Sequence, residues 1–541
     1  MNLQVITKLS ALTIRVARLQ RQPLRLLTRK STIMEEFEDF EKSPEDAPNE
    51  FGFGDKRRMD AHSFLLSKVA AGKLYSSHEW DEILSNALEM PKWSVNNINI
   101  SGIVMSHCLT ENNYNLALCF LKYLEENDKE INNGTISVFL RLCHSTWPEP
   151  SEEVIFKYYD LLKNRIPFFI GTLAENCILA LSWTSRWREC FELVEFVRSS
   201  GIMGIHIYTI LITTAFRNKD PKLGWDFLNK AGVEGKHVRA ETFSTWLQYC
   251  AENEPTLAGA ESILNYFYEI NYPVNEVIAE DVKQYFECVV KPAWKVESTA
   301  VRPNGMCVAC RKKLPSIHIS LEEFNILSAH FFEKNLLGKD VFSKSSPGEI
   351  ERFSAFLKQS RPYDVVIDGL NAAFCAGVRN AIPPIDLLTD VVEYFLARDM
   401  KILVIGRAHM LKWNRRKMDY IQRNSKVFLT ENLSQDDPFV LYAAMSGGPD
   451  TYFVSRDMMR GHKHKLNDVE MERLFKRWQL ARQYSVFGLV SRAKALIYPP
   501  SSFLPFSQKT GDSWHVPYVE GTNEYMNQVF KPPKTWLCIR K

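Results

Sequence analysis

The sequence predicts a chain of several domains: an α-solenoid, a small metal-bridged central domain, and an α/β domain built on a parallel sheet. Three observations carry that prediction. Residues from about 60 to 290 repeat a two-helix pattern with a period near 35. From Pro362 to about Tyr498, short β-rich segments alternate with helical ones. The stretches 291–361 and 499–541 fit neither pattern, and both are rich in Pro, aromatic residues and Cys or His. At 541 residues the chain is also too long for one hydrophobic core.

The N-terminus comes first in order. Residues 1–34 contain no acid but carry Lys8, Arg15, Arg18, Arg21, Arg25, Arg29 and Lys30, with Leu9, Leu12, Val16 and Leu19 on another helical face. A basic amphipathic segment of this kind reads as a mitochondrial transit peptide, which places the mature chain in the matrix; the alternative is a basic arm that binds RNA. An acidic stretch from Glu35 to Glu50 follows, so residues 1–45 are expected to be transit peptide and flexible spacer. Bulk composition is ordinary for globular domains, 45% hydrophobic and 24% charged. The net charge of +3 is too small to define a nucleic-acid surface without local clustering. Eleven scattered cysteines, an odd number, suit a reducing compartment better than a disulfide framework. No run of eighteen apolar residues occurs, so a membrane span is not expected.

Similar blocks begin at Ile98, Thr135, Leu173, Ile207 and Thr242, at offsets of 37, 38, 34 and 35 residues. Each continues into a second amphipathic helix, such as Glu153–Lys163, Arg188–Arg198 or Ala258–Ile270. That period with two helices per repeat marks an α-solenoid. Openings such as Tyr-Thr-Ile-Leu-Ile (208–212) resemble the pentatricopeptide type, which usually holds RNA; a protein-binding array is the alternative.

In the region 362–498 the strand candidates are Asp364–Ile367, Lys401–Ile405, Val427–Leu429 and Tyr452–Val454. Helical stretches lie between them at Ile385–Arg398, Trp413–Arg423 and Pro438–Met445. This order predicts a parallel sheet whose ligands bind beyond the carboxyl ends of the strands. Asp368 and Asp457 fall at such ends, and Asp436 with Asp437 falls on the loop after the third strand, so all four reach one edge. Clustered carboxylates repel unless a cation holds them, and Mg²⁺, or Mn²⁺ in its place, takes oxygen ligands of this kind. The plainer reading makes Asp437 an N-cap before Pro438, which accounts for one of two adjacent acids. The chemistry expected of such a site is attack of a metal-activated water on a phosphodiester, leaving a 5′-phosphate and a 3′-hydroxyl. His462 is a candidate for proton transfer or phosphate contact, His464 a weaker one, and Asn371 a candidate ligand or orienting group. Lys401, Arg407, Lys412, Arg415, Arg416, Lys417, Arg423 and Lys426 stand against the single acid Asp419, a run suited to a phosphate backbone if it is not simply a solvated face. Arg456, Arg460 and Lys463 extend it.

Cys307-Val308-Ala309-Cys310 has the spacing at which two thiolates grip one Zn²⁺. It is a half-site. His515 and Cys538 in the tail are candidates to complete it and to join 291–361 with 499–541 as one domain; a redox dithiol is the alternative.

Together, Val-Val-Ile-Asp-Gly-Leu-Asn (365–371), Gln-Asp-Asp-Pro-Phe (435–439), Arg-Asp-Met-Met-Arg-Gly-His (456–462), Cys-Val-Ala-Cys (307–310), Trp-His-Val-Pro (514–517) and Trp-Leu-Cys (536–538) resemble the protein-only ribonuclease P family, its animal mitochondrial branch most closely. The resemblance covers about residues 90 to 541. It implies pentatricopeptide repeats over 60–290, a zinc-binding central domain, and a PIN-like NYN metallonuclease domain over 362–498. By the same resemblance Asp368, Asp436, Asp437 and Asp457 bind catalytic Mg²⁺, and Cys307, Cys310, His515 and Cys538 hold structural Zn²⁺. The implied reaction removes the 5′ leader of precursor tRNA, with a tRNA methyltransferase and a short-chain dehydrogenase as implied partners. The repeats are irregular, which favours recognition of folded tRNA by shape over a base-by-base code. Two alternatives remain: an RNA-binding scaffold whose nuclease domain is inactive, and a related metallonuclease acting on other RNA.

Overall fold

A computed structural model describes residues 60–90, 95–290, 294–337, 347–377, 383–431, 437–457, 459, 466, 468–489, 494–520 and 533–541. The expected transit peptide and spacer lie outside the described residues. The chain forms two compact units: the described residues up to Ile263 together with 280–290, and 264–279 together with those from Trp294 onward.

The first unit is helical. Successive pairs begin with Ile100–Thr110, Asn133–Ser145, Gly171–Leu181, Ile205–Arg217 and Ala240–Asn253, and each of these first helices packs on its counterpart in the next pair. A helix flanked by two neighbours must bury more than one stripe. Accordingly every residue from Ile207 to Phe216 is buried, with Thr209, Thr213 and Thr214 satisfying their hydroxyls on carbonyls. Polar pairs tie neighbouring repeats: Ser101 to Thr135 at 3.0 Å and Asn176 to Ser137 at 2.9 Å. The helix expected over Arg188–Arg198 is divided into Glu189–Glu192 and Val194–Ser200, with Phe191 and Phe196 donating to carbonyls three residues back.

Strands of the second unit are, in chain order, Val274–Asn275 (β1), Lys295–Thr299 (β2), Val365–Asp368 (β3), Ile402–Arg407 (β4), Lys426–Thr430 (β5), Tyr452–Val454 (β6), Gln483–Leu489 (β7), Lys494–Tyr498 (β8), Gln508–Thr510 (β9), Ser513–Val519 (β10) and Thr535–Arg540 (β11). The larger sheet has the order β5-β4-β3-β6-β7-β8, parallel throughout except for the antiparallel β7–β8 pair. Its alternating side chains feed two cores. Val365, Ile367, Ile402 and Val404 pack with Leu388, Val391 and Phe395 on one face. Val366, Leu403 and Ile405 pack on the other with Phe439, Phe475 and Trp478.

Helices Leu321–Leu337 and Pro347–Ser360 belong to that second core through Phe324, Leu327, Phe331, Phe353 and Leu357. These two helices, expected with the zinc-binding piece, therefore cover the larger sheet, because their apolar faces match the aromatic surface of helices Asp437–Gly447 and Val469–Arg482. What the stretches 294–320 and 499–541 share is the smaller sheet, β1-β10-β11-β2, with β9 on β10. Beside it Leu314, Phe503 and Trp536 form a separate small cluster. Among the described residues, no helix is long and apolar enough to cross a membrane.

Candidate functional site

Strand order in the larger sheet reverses at β3: the chain moves out to β4 and β5, then returns to β6 on the other side. The crevice beyond the carboxyl ends of β3 and β6 is therefore the switch point at which parallel sheets bind ligands. Asp368 ends β3 and is fully buried, while Asp457 lies three residues past the end of β6 and is exposed. Their link is Ser455. Its hydroxyl donates to Asp368 Oδ2 at 3.3 Å and accepts the Asp457 backbone N–H at 3.1 Å. Asp368 also caps the short helix Gly369–Ala373, accepting the Asn371 backbone N–H at 3.0 Å and its Nδ2 at 2.5 Å. Both the backbone and the side chain of Asn371 are thus tied to Asp368. Gly369 is required by close approach, since a Cβ there would sit 2.9 Å from the Ile405 carbonyl oxygen. Asp457 in turn accepts the Met459 N–H at 2.6 Å.

Helix Asp437–Gly447 starts at Asp437, after β5 has left the sheet at this same edge. The backbone of Asp437 is described and its side chain is not; Asp436, His462, His464, Arg460 and Lys463 lie outside the described residues. The structure thus joins Asp368 with Asp457. Hard carboxylate oxygens suit Mg²⁺ or Mn²⁺ by ligand type, and the two described acids, Asp368 and Asp457, are donors of that kind.

The basic run divides. Lys412, Arg415 and Arg416 are exposed where β4 has exited toward the acids. Arg423 and Lys426, also exposed, come where the chain returns to begin β5 at the opposite edge. Lys417 pairs with Asp386 at 2.6 Å, and Arg456 donates to the Cys375 carbonyl at 3.3 Å.

In the smaller sheet His515 and Cys538 are directly opposed on antiparallel β10 and β11. Cross-strand partners share a face, which is how residues 23 apart meet. Cys307 and Cys310 reach them from a tight turn: Arg311, at φ 59°, donates to the Cys307 carbonyl, and the Lys312 N–H points at Cys310 Sγ at 3.4 Å. The four ligand atoms all lie within 4.8 Å of one another, with His515 Nε2 3.2 Å from Cys310 Sγ and 3.9 Å from Cys538 Sγ. A metal bound to four such atoms at about 2.0–2.3 Å separates them by roughly 3.5–3.8 Å, so the group could close on a tetrahedral ion with side-chain shifts of about 1 Å or less. Burial, then the neighbouring Cys307 and Cys310 thiols, push the Cys538 thiol well up; burial, then Lys312, lower His515 to about 4. As thiolates and a neutral imidazole, the four residues are donors of the kind that could hold a soft metal ion.

The sequence reading passed over two residues here, Ser455 and Gln483. Gln483 opens β7 and donates from Nε2 to the carbonyls of Ser455 and Asp457, both at 2.9 Å. Ser455 stood in view within Ser-Arg-Asp, whereas nothing local marks Gln483.

The profile of the protein-only RNase P family matches residues 301–538. The mitochondrial ribonuclease P catalytic subunit of Mus musculus is 27% identical over 478 residues, covering 87% of this chain and 79% of its own. That of Rattus norvegicus is 26% identical over 538 residues, covering 96% and 89%. Among solved structures, nuclear proteinaceous RNase P 2 of Arabidopsis thaliana superposes with a TM-score of 0.55 at 18% identity, over 82% of this chain and 99% of its own. That last likeness concerns the fold.

Proposed function

We propose that the chain is a member of the protein-only ribonuclease P family and is the endoribonuclease that removes the 5′ leader of mitochondrial precursor tRNAs. One observation carries this: Asp368 and Asp457 are joined through Ser455 at the β3/β6 switch point, where helix Asp437–Gly447 also begins. Asp368, Asp436, Asp437 and Asp457 hold the Mg²⁺ ions, with Mn²⁺ able to replace them, and His462 assists proton transfer. Ions held there would supply the Lewis acidity for attack by water on the phosphodiester, a reaction that leaves a 5′-phosphate and a 3′-hydroxyl. Asn371 and Ser455 orient Asp368, while Lys412, Arg415 and Arg416 supply cationic charge for the phosphate backbone on the same edge.

The helical unit is a pentatricopeptide-type solenoid that holds the folded tRNA, and Cys307, Cys310, His515 and Cys538 carry a structural Zn²⁺ that pins 499–541 to the central domain. The chain works in the mitochondrial matrix after loss of its transit peptide, with a tRNA methyltransferase and a short-chain dehydrogenase presenting the substrate. The deciding experiment incubates the purified chain with a labelled mitochondrial precursor tRNA and Mg²⁺, with and without those two proteins, and maps the product ends. Cleavage at the mature 5′ end supports the reading. Intact precursor with both partners present, or cuts elsewhere, rejects it in favour of a scaffold or a nuclease for other RNA.

A further inference from the structure

Ladder hydrogen bonding ends where the candidate site begins. The last backbone bond from this part of the chain to β7 runs from the Ser455 N–H to the Tyr484 carbonyl at 3.2 Å. Past it the chain peels away, and the carbonyls of Ser455 and Asp457 receive the side-chain amide of Gln483 at 2.9 Å each. A primary amide has two N–H donors on one nitrogen, so a single side chain can hold two carbonyls that a strand would otherwise serve. The far end of that amide is fixed as well: Gln479, one helical turn earlier, donates to Gln483 Oε1 at 2.8 Å. Both glutamines are buried, at 1% and 5% exposure. Ser455, at 0%, closes the path by touching Asp368 on one side and the Asp457 backbone on the other. A buried polar chain of this kind fixes position, because each member has few alternative partners.

We propose that Gln483 and Ser455 are positioning residues that set the separation of Asp457 from Asp368 and thereby tune divalent-ion affinity. The inference rests on the metal-site reading given above. Gln483 acts on the backbone that carries Asp457, and Ser455 couples that backbone to the opposing carboxylate. Neither touches the reacting atoms.

The test measures Mn²⁺ binding to the full chain by electron paramagnetic resonance of the free ion, together with the Mg²⁺ concentration for half-maximal cleavage. Gln483→Met keeps length and removes the donors. Ser455→Thr and Ser455→Val add the same bulk but differ in the hydroxyl. Gln483→Met and Ser455→Val are expected to weaken Mn²⁺ binding about tenfold or more and to raise the half-maximal Mg²⁺ by a similar factor. Excess Mg²⁺ should restore most of kcat, and Ser455→Thr should stay within about threefold of the unaltered chain. Precursor affinity measured in Ca²⁺ should hardly change. Unchanged Mn²⁺ binding in both variants, or a loss of activity that excess Mg²⁺ does not relieve, overturns the proposal. If Gln483→Met fails to fold, the Thr/Val pair decides alone. If the unaltered chain shows no Mn²⁺ site that Asp368→Asn removes, the metal-site reading itself has failed, which is a different result.

Discussion

Cys307, Cys310, His515 and Cys538 meet with every ligand atom within 4.8 Å, whereas Asp368 and Asp457 reach each other through the hydroxyl of Ser455. The first group is mounted on regular structure: a cross-strand pair and a tight turn bring its members together. The second is mounted on strand ends and the loops beyond them, held in place by side-chain hydrogen bonds. Under the proposed function, the contrast follows from what each would do. A structural ion needs a closed shell that never changes, while a catalytic ion must leave positions open for water and substrate. One group is complete, with Cys307, His515 and Cys538 buried and Cys310 half-buried. The other has one acid buried and one exposed, an arrangement that would admit an approaching RNA.

The largest expected effect attacks the open site. Asp368→Asn or Asp437→Asn should lower cleavage by at least about 10³-fold while precursor affinity stays within roughly threefold, read by single-turnover kinetics beside a binding titration. Near-normal turnover would place the chemistry elsewhere. Next comes the closed site, where the roles reverse. Cys538→Ser or zinc chelation should lower Tm by roughly 10 °C or more, whereas the aspartate variants should shift it little. Calorimetry in which both classes melt alike would erase the distinction drawn here.

A smaller effect tests which edge faces RNA. Arg415→Glu combined with Arg416→Glu should weaken precursor binding roughly tenfold and flatten its salt dependence by about two phosphate contacts. Arg423→Glu with Lys426→Glu, on the far edge, should cost less than about threefold. The smallest concerns backbone approach: Gly369→Ala forces a Cβ toward the Ile405 carbonyl 2.9 Å away. It should reduce cleavage by about three- to tenfold and lower Tm by a few degrees, with the short helix after Asp368 displaced.

Much of this organisation can be read from residue order. The four strand candidates lie within two residues of β3, β4, β5 and β6, because short apolar runs bounded by polar turns have few other uses. Placing Asp368 and Asp457 on one edge needed only the rule that parallel strands exit together. Two kinds of information were missing. Strand β7 follows helix Val469–Arg482 with no Gly or Pro between them, so no local signal announces it, and Gln483 went unnoticed with it. The partners of helices Leu321–Leu337 and Pro347–Ser360 were equally hidden, since an amphipathic face says that a helix packs and leaves open what it packs on. His515 and Cys538 could be nominated by type, but their opposition depends on the register of β10 with β11, which pairing alone sets.

Strand β11 lies between β10 and β2, and Arg540 reaches back to Glu297 across 243 residues. During synthesis, at roughly 5–20 residues per second, β2 and the Cys307–Cys310 turn would leave the ribosome some tens of seconds before the segment that completes them. For that interval a bare strand edge and two unsatisfied thiols are exposed together, a combination that invites mispairing and oxidation. Newly made protein is therefore where chaperone dependence and metal supply should matter most.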